Sequence, residues 1–345
     1  MPPRILLIGN FLSGSFRTRS VSEDLASRLV ASGWDVQSVS TRRARLPRLA
    51  DFLATAWWRR HSYDVANVDV YSGSAFVWAE AVCAVLRAAR KPYVLTLHGG
   101  NLPKLARKSP GRLERLLRPA TAVVAPSAYL LEHVRHLRGD VQLIPNALDL
   151  ADYTFRERST AAPRLIWLRS YHTIYNPSLA PAAFARLAPL HPDATLTMIG
   201  ADKGDGSMQA ARDVAARSGV GDRITISGGV PKSEVPRALQ AGDIFLNTTN
   251  VDNTPVSVLE ALACGLCVVS TSVGGIPYLL ADGVDALLVP PDDPGAMAGA
   301  VSRILAEPGL AQSLSRAGRR KVEAFDWMPV LQRWQELFGA VAGSA

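Results

Sequence analysis

Short runs of strand length, most of them rich in apolar residues, alternate with amphipathic segments of helix length along almost the whole chain. These runs lie at residues 4–9, 34–41, 64–71, 93–97, 121–125, 164–168, 195–199 and 223–227, and a further run ends at Leu246. Continuous apolar strands separated by helices are typical of parallel sheets that are covered on both faces. The sequence therefore predicts an α/β protein built from doubly wound sheets.

The length of the chain predicts two domains. A single hydrophobic core rarely extends beyond roughly 250–300 residues, and this chain has 345. A polar run at residues 156–163 separates two sets of predicted strands, so we expect the domain linker there. Hydrophobic residues make up 48% of the chain, which excludes a disordered protein.

The positive charge of the chain is concentrated in its first half. The formal net charge is +8, and residues 1–150 hold 21 Lys and Arg against 11 Asp and Glu, whereas the remainder holds 17 against 19. This asymmetry predicts an anionic partner for the first domain. We expect no nucleic acid, because the sequence contains no zinc-finger or RNA-recognition pattern. An anionic membrane surface is the preferred partner.

A basic segment at residues 42–61 is the candidate element for membrane contact. Apolar residues recur there at helical spacing, and arginines and two tryptophans lie near its ends. Such a helix can lie among lipid headgroups, although a helix packed on the sheet with a solvated basic end remains the alternative. No apolar run approaches about 18 residues or forms a signal-peptide core. We therefore expect a cytoplasmic protein, with peripheral contact at the inner face of the membrane.

The stretch at residues 252–270 leads from a strand end into a helix. A loop of Asn, Thr and Asp follows the run that ends at Leu246, and Pro255 suits the first position of a helix. The first amides of a helix have no partner within it and lie at the positive end of its dipole. We therefore expect an anion site here, most simply for phosphate. Its expected residues are Asn253, Thr254, Pro255 and Val256.

Two carboxylates bracket this expected anion site. Asp252 stands just ahead of the helix, and Glu260 lies about one and a half turns inside it, where an acidic side chain usually faces solvent. Carboxylates so placed can accept hydrogen bonds from a polyhydroxylated ligand. The alternative left open is an ordinary strand and helix with a solvated acid at each end.

His98 follows the predicted strand at residues 93–97 and precedes two glycines. Ligands of open α/β sheets collect at the carboxyl ends of strands, so a histidine there is placed near a ligand. Its neutral ring can donate or accept a hydrogen bond, and neighbouring glycines allow close backbone approach. His133 and His136 lie one helical turn apart, but no third ligand suggests a metal site.

Residues 252–270 resemble the signature of the retaining glycosyltransferases of family 4, which have the GT-B fold. That signature is a Glu, seven residues, a second Glu, and then Ala-Met-Ala-x-Gly-x-Pro-Val-Val. In this chain Asp252 stands at the first Glu and Cys267 at the Pro, while Glu260 and Gly265 match. Other segments similar to the family lie at residues 96–99, 144–149, 273–277 and 282–289.

The resemblance implies two Rossmann-like domains with a donor cleft between them. We expect an acceptor-binding domain at 1–158, a domain that binds the nucleotide-sugar at 159–326, and a final helix at 327–345 that crosses back. The resemblance also implies transfer of a sugar, with retention of configuration, from a nucleoside-diphosphate-sugar donor. The acceptor is expected to be a glycan, a lipid-linked sugar or a small molecule, and no metal or cofactor is expected.

The resemblance further implies roles for individual residues. His98 is expected to contact the transferred sugar, Arg169 to neutralise the donor diphosphate, and Asp252 to orient sugar hydroxyls, so these three are the predicted catalytic residues. Glu260 is expected at the ribose and residues 253–256 at the diphosphate. A loose match to the glycine-containing loop of the family adds two predicted donor-binding residues, Gly14 and Ser15.

One departure from the family bears on catalysis. Family members carry a Lys six residues beyond the Arg, and this chain has Tyr175 there, so the diphosphate would be held by one cation fewer. Two alternatives stay open: a non-hydrolysing sugar-nucleotide epimerase, and a non-catalytic sugar-nucleotide-binding protein, which Tyr175 favours. The basic stretches at 42–60 and 104–118 favour transfer to a bulky anionic acceptor over epimerisation.

Cys264 and Cys267 form a Cys-x-x-Cys pair where the predicted helix ends. Redox pairs of this type lie at a helix N-terminus, where the helix dipole lowers the thiol pKa. This pair lies at the C-terminal end of the helix, where the dipole does not lower the thiol pKa. Cys83 is the only further cysteine of the sequence, which excludes a four-cysteine zinc site. We expect the pair to be buried, reduced and structural.

Overall fold

The computed structural model describes residues 2–9, 11, 20–98 and 102–343. The chain forms two compact units, one of residues 1–147 with 327–345 and one of residues 148–326. Each unit contains a six-stranded sheet in which every neighbouring pair of strands is parallel. The predicted α/β class with two doubly wound domains is therefore confirmed. Gly14 and Ser15 lie outside the described residues.

The first unit follows the predicted alternation of strands and helices. Its strands are β1 (Ile5–Ile8), β2 (Val36–Val39), β3 (Val65–Val70), β4 (Tyr93–Leu97), β5 (Ala122–Ala125) and β6 (Gln142–Leu143). Its sheet has the order β2-β1-β3-β4-β5-β6. Its helices before the second unit are α1 (Val21–Ala31), α2 (Arg45–Trp58), α3 (Ser74–Ala88), α4 (Leu102–Lys108), α5 (Pro110–Leu117) and α6 (Ala128–Val134).

The second unit repeats the same architecture. Its strands are β7 (Arg164–Leu168), β8 (Thr195–Ile199), β9 (Ile224–Ser227), β10 (Ile244–Asn247), β11 (Cys267–Thr271) and β12 (Leu287–Val289). Its sheet has the order β12-β11-β10-β7-β8-β9. Its helices are α7 (Leu179–Leu187), α8 (Ser207–Arg217), α9 (Val235–Gln240), α10 (Val256–Ala263), α11 (Ile276–Leu279), α12 (Pro294–Ala306) and α13 (Leu310–Glu323).

Alternate side chains of β1 enter hydrophobic cores on opposite faces of the first sheet. Leu6 and Ile8 pack with residues of α2 and α3, whereas Ile5 and Leu7 pack with residues of α1 and of the last helix, α14 (Trp327–Gly343). All four side chains are buried. Burial on both faces explains why the strand reads as a continuous apolar run. Helix α14 follows the second unit in sequence but belongs to the first.

The boundary between the units falls before residue 148, whereas we expected the linker at residues 156–163. Arg158 is 1% exposed, and its Nε lies 3.2 Å from the Asp243 carboxylate. Asp243 also pairs with Arg156 at 2.7 Å and with Arg164 at 2.8 Å. These contacts fix the polar segment to the second unit, because its charges meet a buried partner 85 residues away in sequence.

The three cysteines are buried free thiols, as expected for the pair. Burial raises the pKa of Cys264 to about 11 and that of Cys267 to about 12. Thiols with raised pKa values are poor nucleophiles at neutral pH. No helix in the described part of the chain is both long and apolar enough to cross a bilayer.

Candidate active site

The loop between β10 and α10 lies where the sequence predicts an anion site. Helix α10 begins at Val256, with Pro255 as its N-cap residue and no side-chain capping bond. Asp252 accepts a hydrogen bond from the Asn253 amide at 2.9 Å, and its own carbonyl accepts one from the Gly275 amide at 2.9 Å. A Cβ atom on Gly275 would lie 1.9 Å from the Asn253 carbonyl oxygen. Glycine is therefore required at position 275, where the loop after β11 contacts the loop that precedes α10.

Arg169 is presented to the start of α10 from the end of β7. Its backbone amide donates to Ile199 at 3.1 Å, and a Cβ atom on Gly200 would lie 1.7 Å from the Arg169 carbonyl oxygen. Its Nη2 lies 2.5 Å from Asp252 Oδ2, and its Nη1 lies 3.5 Å from the Ser257 hydroxyl of α10. The second unit thus brings the predicted Arg169, Asp252 and helix start together.

The Arg169 side chain keeps an unused donor in this arrangement. Its Nε is buried and has no hydrogen-bond acceptor among the described residues. Burial raises the pKa of Asp252 more than the attraction of Arg169 lowers it. The ion pair is mostly enclosed, with 17% of the Arg169 side chain and 10% of the Asp252 side chain exposed. An anionic ligand oxygen would offer Arg169 the acceptor that it lacks.

Tyr175, at the position of the family's Lys, packs against Arg169. The guanidinium carbon of Arg169 lies 4.2 Å from the centre of the Tyr175 ring. The Tyr175 carbonyl accepts a hydrogen bond from the Thr248 hydroxyl at 2.7 Å, and the Trp167 indole donates to Thr248 at 2.8 Å. Tyr175 therefore orients the first cation by a cation–π contact and supplies no second positive charge.

Glu260 is buried, although an acidic side chain at this position of a helix usually faces solvent. Its residue exposure is 5%, and its Oε1 accepts a hydrogen bond from the Tyr153 hydroxyl at 2.8 Å. Burial raises the pKa of Glu260, although Tyr153 and the charges of Lys232 and Arg169 act in the opposite direction. All seven residues from Ser257 to Ala263 are buried, so α10 has no solvated face there. No local sequence signal identifies Tyr153 as the partner.

His98 lies in the first unit, directly after β4, and forms a pair with Asp69. Its Nε2 lies 3.0 Å from Asp69 Oδ1, and the Ser22 hydroxyl donates to Asp69 Oδ2 at 2.6 Å. The Tyr71 ring stacks on the imidazole, with centroids 4.9 Å apart and an interplanar angle of 18°. In the neutral imidazole, Nε2 donates to the Asp69 carboxylate in the tautomer that leaves Nδ1 free to accept a hydrogen bond.

Asp69 is a residue of the candidate site that the sequence interpretation missed. It lies on β3 within the run Val-Ala-Asn-Val-Asp-Val, and its side chain is 3% exposed. An acidic residue inside an apolar strand is the signal that would have identified it, because buried charges are rare unless they have partners. A Cβ atom on Gly9 would lie 2.2 Å from Asp69 Oδ2, so glycine at that position leaves room for the carboxylate.

Two family models match the chain. One is described as Glycosyltransferase Family 4 and matches residues 18–152, and the other is described as Glycosyl transferases group 1 and matches residues 162–307. D-inositol 3-phosphate glycosyltransferase from Frankia alni is 26% identical over 90% of this chain and 85% of its own length. Glycogen synthase from Mycobacterium tuberculosis is 25% identical over 76% of this chain and 66% of its own.

A further relative is matched over a shorter region. D-inositol 3-phosphate glycosyltransferase from Segniliparus rotundus is 25% identical over 54% of this chain, and the matched region spans 44% of that relative's length. The chain thus spans less than two thirds of the Segniliparus rotundus and Mycobacterium tuberculosis relatives.

Solved structures show the same fold over nearly the whole chain. Sucrose-phosphate synthase from Thermosynechococcus elongatus superposes with a TM-score of 0.78 at 20% identity, covering 99% of this chain and 100% of that one. Anabaena HepE in complex with UDP-glucose superposes with a TM-score of 0.72 at 17% identity, covering 98% of this chain and 100% of that one. These likenesses confirm the predicted GT-B fold. The two family models, which together match residues 18–152 and 162–307, show that the chain belongs to the glycosyltransferases of family 4 and group 1.

Proposed function

We propose that the chain transfers a sugar from a nucleoside-diphosphate-sugar donor to an acceptor, with retention of configuration and without a bound metal. The observation that carries this proposal is the placement of Arg169 beside the start of α10. A cation and the positive end of a helix there suit a diphosphate. HepE, which shares the fold, was solved in complexes with UDP and with UDP-glucose.

Charge stabilisation is the main contribution that we assign to the second unit. When the bond between the anomeric carbon and the phosphate oxygen breaks, negative charge grows on the departing diphosphate. Arg169, the Ser257 hydroxyl and the first amides of α10 lie together where they can stabilise that charge. These groups would serve in place of a metal ion. The acceptor oxygen bonds to the anomeric carbon on the same face, and its proton passes to a donor phosphate oxygen.

The two predicted carboxylates have different roles in this proposal. Asp252 would accept hydrogen bonds from sugar hydroxyls once the diphosphate has taken over Arg169, because its pairing in the ligand-free protein occupies Oδ2. Glu260 would bind the ribose through the oxygen that Tyr153 does not use. In the first unit His98 would contact the transferred sugar, and Asp69 would hold its ring and select its tautomer.

A donor screen by thermal unfolding tests the proposal. A nucleoside-diphosphate sugar present at 100 times its dissociation constant stabilises the protein by about 2.7 kcal/mol. We expect a matching donor to raise the melting temperature equally with and without EDTA. When donor and acceptor are both present, the nucleoside diphosphate should be released. NMR of the product should show the donor's anomeric configuration. A folded protein that no donor stabilises would contradict the proposal.

A non-catalytic sugar-nucleotide-binding protein is the second candidate, and Tyr175 is the observation that favours it. Because Tyr175 stands where the family has a Lys, we place one cation, Arg169, at the diphosphate instead of two. Donor binding without release of nucleoside diphosphate, over a broad panel of acceptors, would support this candidate. Release of nucleoside diphosphate that depends on the acceptor would exclude it.

We also propose that the first unit contacts anionic membranes through α2. Phe52 and Ala56 pack into the core, whereas Leu46 and Trp58 are 79% and 76% exposed. The helix thus packs on the sheet by one face and offers apolar side chains and arginines by another, as interfacial helices do. This surface would bring the chain to a lipid-linked acceptor.

Vesicle co-sedimentation tests the membrane proposal. We expect binding to vesicles rich in phosphatidylglycerol, weaker binding at high salt, and little binding to phosphatidylcholine. Trp58→Ala should reduce the bound fraction. Leu190→Ala is the matched control, because Leu190 is 71% exposed but lies in the second unit. Equal losses in both variants would refute a specific role for α2.

A further inference from the structure

A cavity of about 190 Å³ lies in the first unit between α2, α3 and the carboxyl ends of β1 and β3. Its α3 wall consists of Ala75, Trp78, Ala79 and Val82, which recur at the spacing of one helix face. Phe52 of α2 meets Trp78 edge-on, with ring centroids 6.4 Å apart and an interplanar angle of 71°. The cavity therefore has an aromatic and aliphatic wall that suits an apolar group.

Two arginines of α2 also line this cavity. Arg48 is held by the backbone ahead of the helix, because its Nε donates to the Arg42 carbonyl at 2.6 Å and its Nη2 to the Arg43 carbonyl at 2.8 Å. Arg45 is exposed, and no ion pair found among the described residues involves it. The first turn of α2 contains no acidic residue either. Arg45 is therefore the cation that can receive an anionic group of a ligand.

The remaining wall of the cavity joins it to the His98 pair. Asp69 and Tyr71 both line the cavity. The same Asp69 carboxylate lies 3.0 Å from His98 Nε2, and the same Tyr71 ring stacks on the imidazole. A ligand that fills the cavity would therefore extend to the residues that hold His98. The cavity thus combines a carboxylate, three aromatic rings and an arginine that forms no ion pair with the described residues.

We propose that this cavity binds the acceptor, and that the acceptor joins an apolar group to a phosphate or another anionic group held by Arg45. This inference rests on the proposed function, because it names the substrate class of the same transferase. The volume equals that of roughly six water molecules, and pockets for whole drug-sized ligands measure about 300–1,000 Å³. The cavity thus receives a ring or a short alkyl segment, and the hydroxyl that accepts the sugar lies outside it.

Calorimetric titration of the full chain tests this assignment with four probes. These are phenyl phosphate, octyl phosphate, inorganic phosphate and phenol. We expect an organic phosphate to bind more tightly than inorganic phosphate or phenol. Only the organic phosphate has both an apolar group that contacts the cavity wall and an anionic group that pairs with Arg45. Tighter binding of phenyl phosphate would assign a ring to the cavity, and tighter binding of octyl phosphate would assign an alkyl chain such as that of a lipid.

Two variants with matched controls locate the binding. Arg45→Ala should weaken the organic phosphate about tenfold, as expected for loss of one charge-assisted contact. Arg59→Ala removes an exposed arginine from the other end of α2 and should leave the affinity unchanged. Ala75→Leu places a larger side chain in the cavity and should abolish binding. Val77→Leu on the outer side of α3 should not, since Val77 is 50% exposed and does not line the cavity.

The outcomes separate this inference from the proposed function. Equal affinities for organic and inorganic phosphate, or equal effects of Arg45→Ala and Arg59→Ala, would overturn the cavity assignment. If the donor still raises the melting temperature in that case, the transferase proposal stands without it. If no nucleoside-diphosphate sugar stabilises the protein either, both proposals fail. Organic phosphate binding that Arg45→Ala and Ala75→Leu each reduce supports the assignment.

Discussion

Replacing Arg169 by alanine should destabilise the protein in a manner that depends on pH. The change removes the partner of a carboxylate that is 90% enclosed, since the Asp252 side chain is 10% exposed. Breaking a fully buried pair costs about 3–5 kcal/mol. Because both side chains keep some contact with solvent, we expect about 2–3 kcal/mol. Loss of the cation–π contact with Tyr175, 4.2 Å away, adds about 0.5–1 kcal/mol that does not depend on pH.

The sign of the pH dependence follows from the pKa of Asp252. Burial already raises this pKa, and Arg169 is the main influence that lowers it, so the variant's pKa must be higher still. When the pKa of a carboxyl group is higher in the folded state than in the unfolded state, the folded state binds the proton more tightly. The protein then loses stability as the pH rises from the pKa of the unfolded state through that of the folded state. The difference in unfolding free energy between the wild-type protein and the variant should therefore be small near pH 4 and largest near pH 8.

Urea denaturation at several pH values measures this difference from the transition midpoints, provided that the slope m is unchanged. Adding Asp252→Asn to Arg169→Ala should remove most of the pH dependence, because only the smaller effect of Arg169 on the pKa of Glu260 is then left. Arg303→Ala is the matched control, since its pair with Glu307 joins exposed side chains and its loss should matter little at any pH. A loss in Arg169→Ala that is the same at pH 5 and pH 8 would refute the reasoning.

Two further predictions concern residues that hold the site in place. Gly200→Ala should weaken donor binding, measured by calorimetric titration, by up to about a hundredfold, because its Cβ would lie 1.7 Å from the Arg169 carbonyl and displace that residue. Gly228→Ala is the control and should bind donor normally, because the space around its Cβ is open. Tyr153→Phe should cost about 1–3 kcal/mol in urea denaturation at pH 8 and less at pH 5, because it leaves a buried Glu260 oxygen unpaired and raises its pKa further. An equal cost at both pH values would show that Glu260 is not the group affected.

Strand positions were predictable where apolar runs are sharply bounded. The runs predicted at Tyr93–Leu97, Arg164–Leu168 and Thr195–Ile199 coincide with β4, β7 and β8 at both ends. The start of α1 was predictable for a similarly local reason, since Ser20 and Glu23 form a capping box. Such features depend on neighbours within a few residues and can be recognised in the sequence itself.

Features that depend on distant partners were not predictable. Residues 156–163 have the composition of a linker, yet Arg158 is buried against Asp243, which lies far along the chain. Glu260 occupies a helical position that is usually solvated, and its burial depends on Tyr153 from outside the helix. Asp69 was missed because its importance depends on contact with His98, 29 residues later. In each case a buried charge is tolerated only because a remote residue compensates for it.

The Arg169–Asp252 pair changes how donor binding should be understood under the proposed function. A diphosphate does not simply add to a free cation, because Arg169 already holds a carboxylate at 2.5 Å. Binding is then an exchange, in which the diphosphate takes Arg169 and the sugar hydroxyls must take Asp252. A free nucleoside diphosphate offers only the first half of that exchange and leaves Asp252 buried with no cation beside it and only the Asn253 amide donating to it. The site should therefore bind a nucleoside-diphosphate sugar more tightly than the nucleoside diphosphate left after transfer, which favours release of that product.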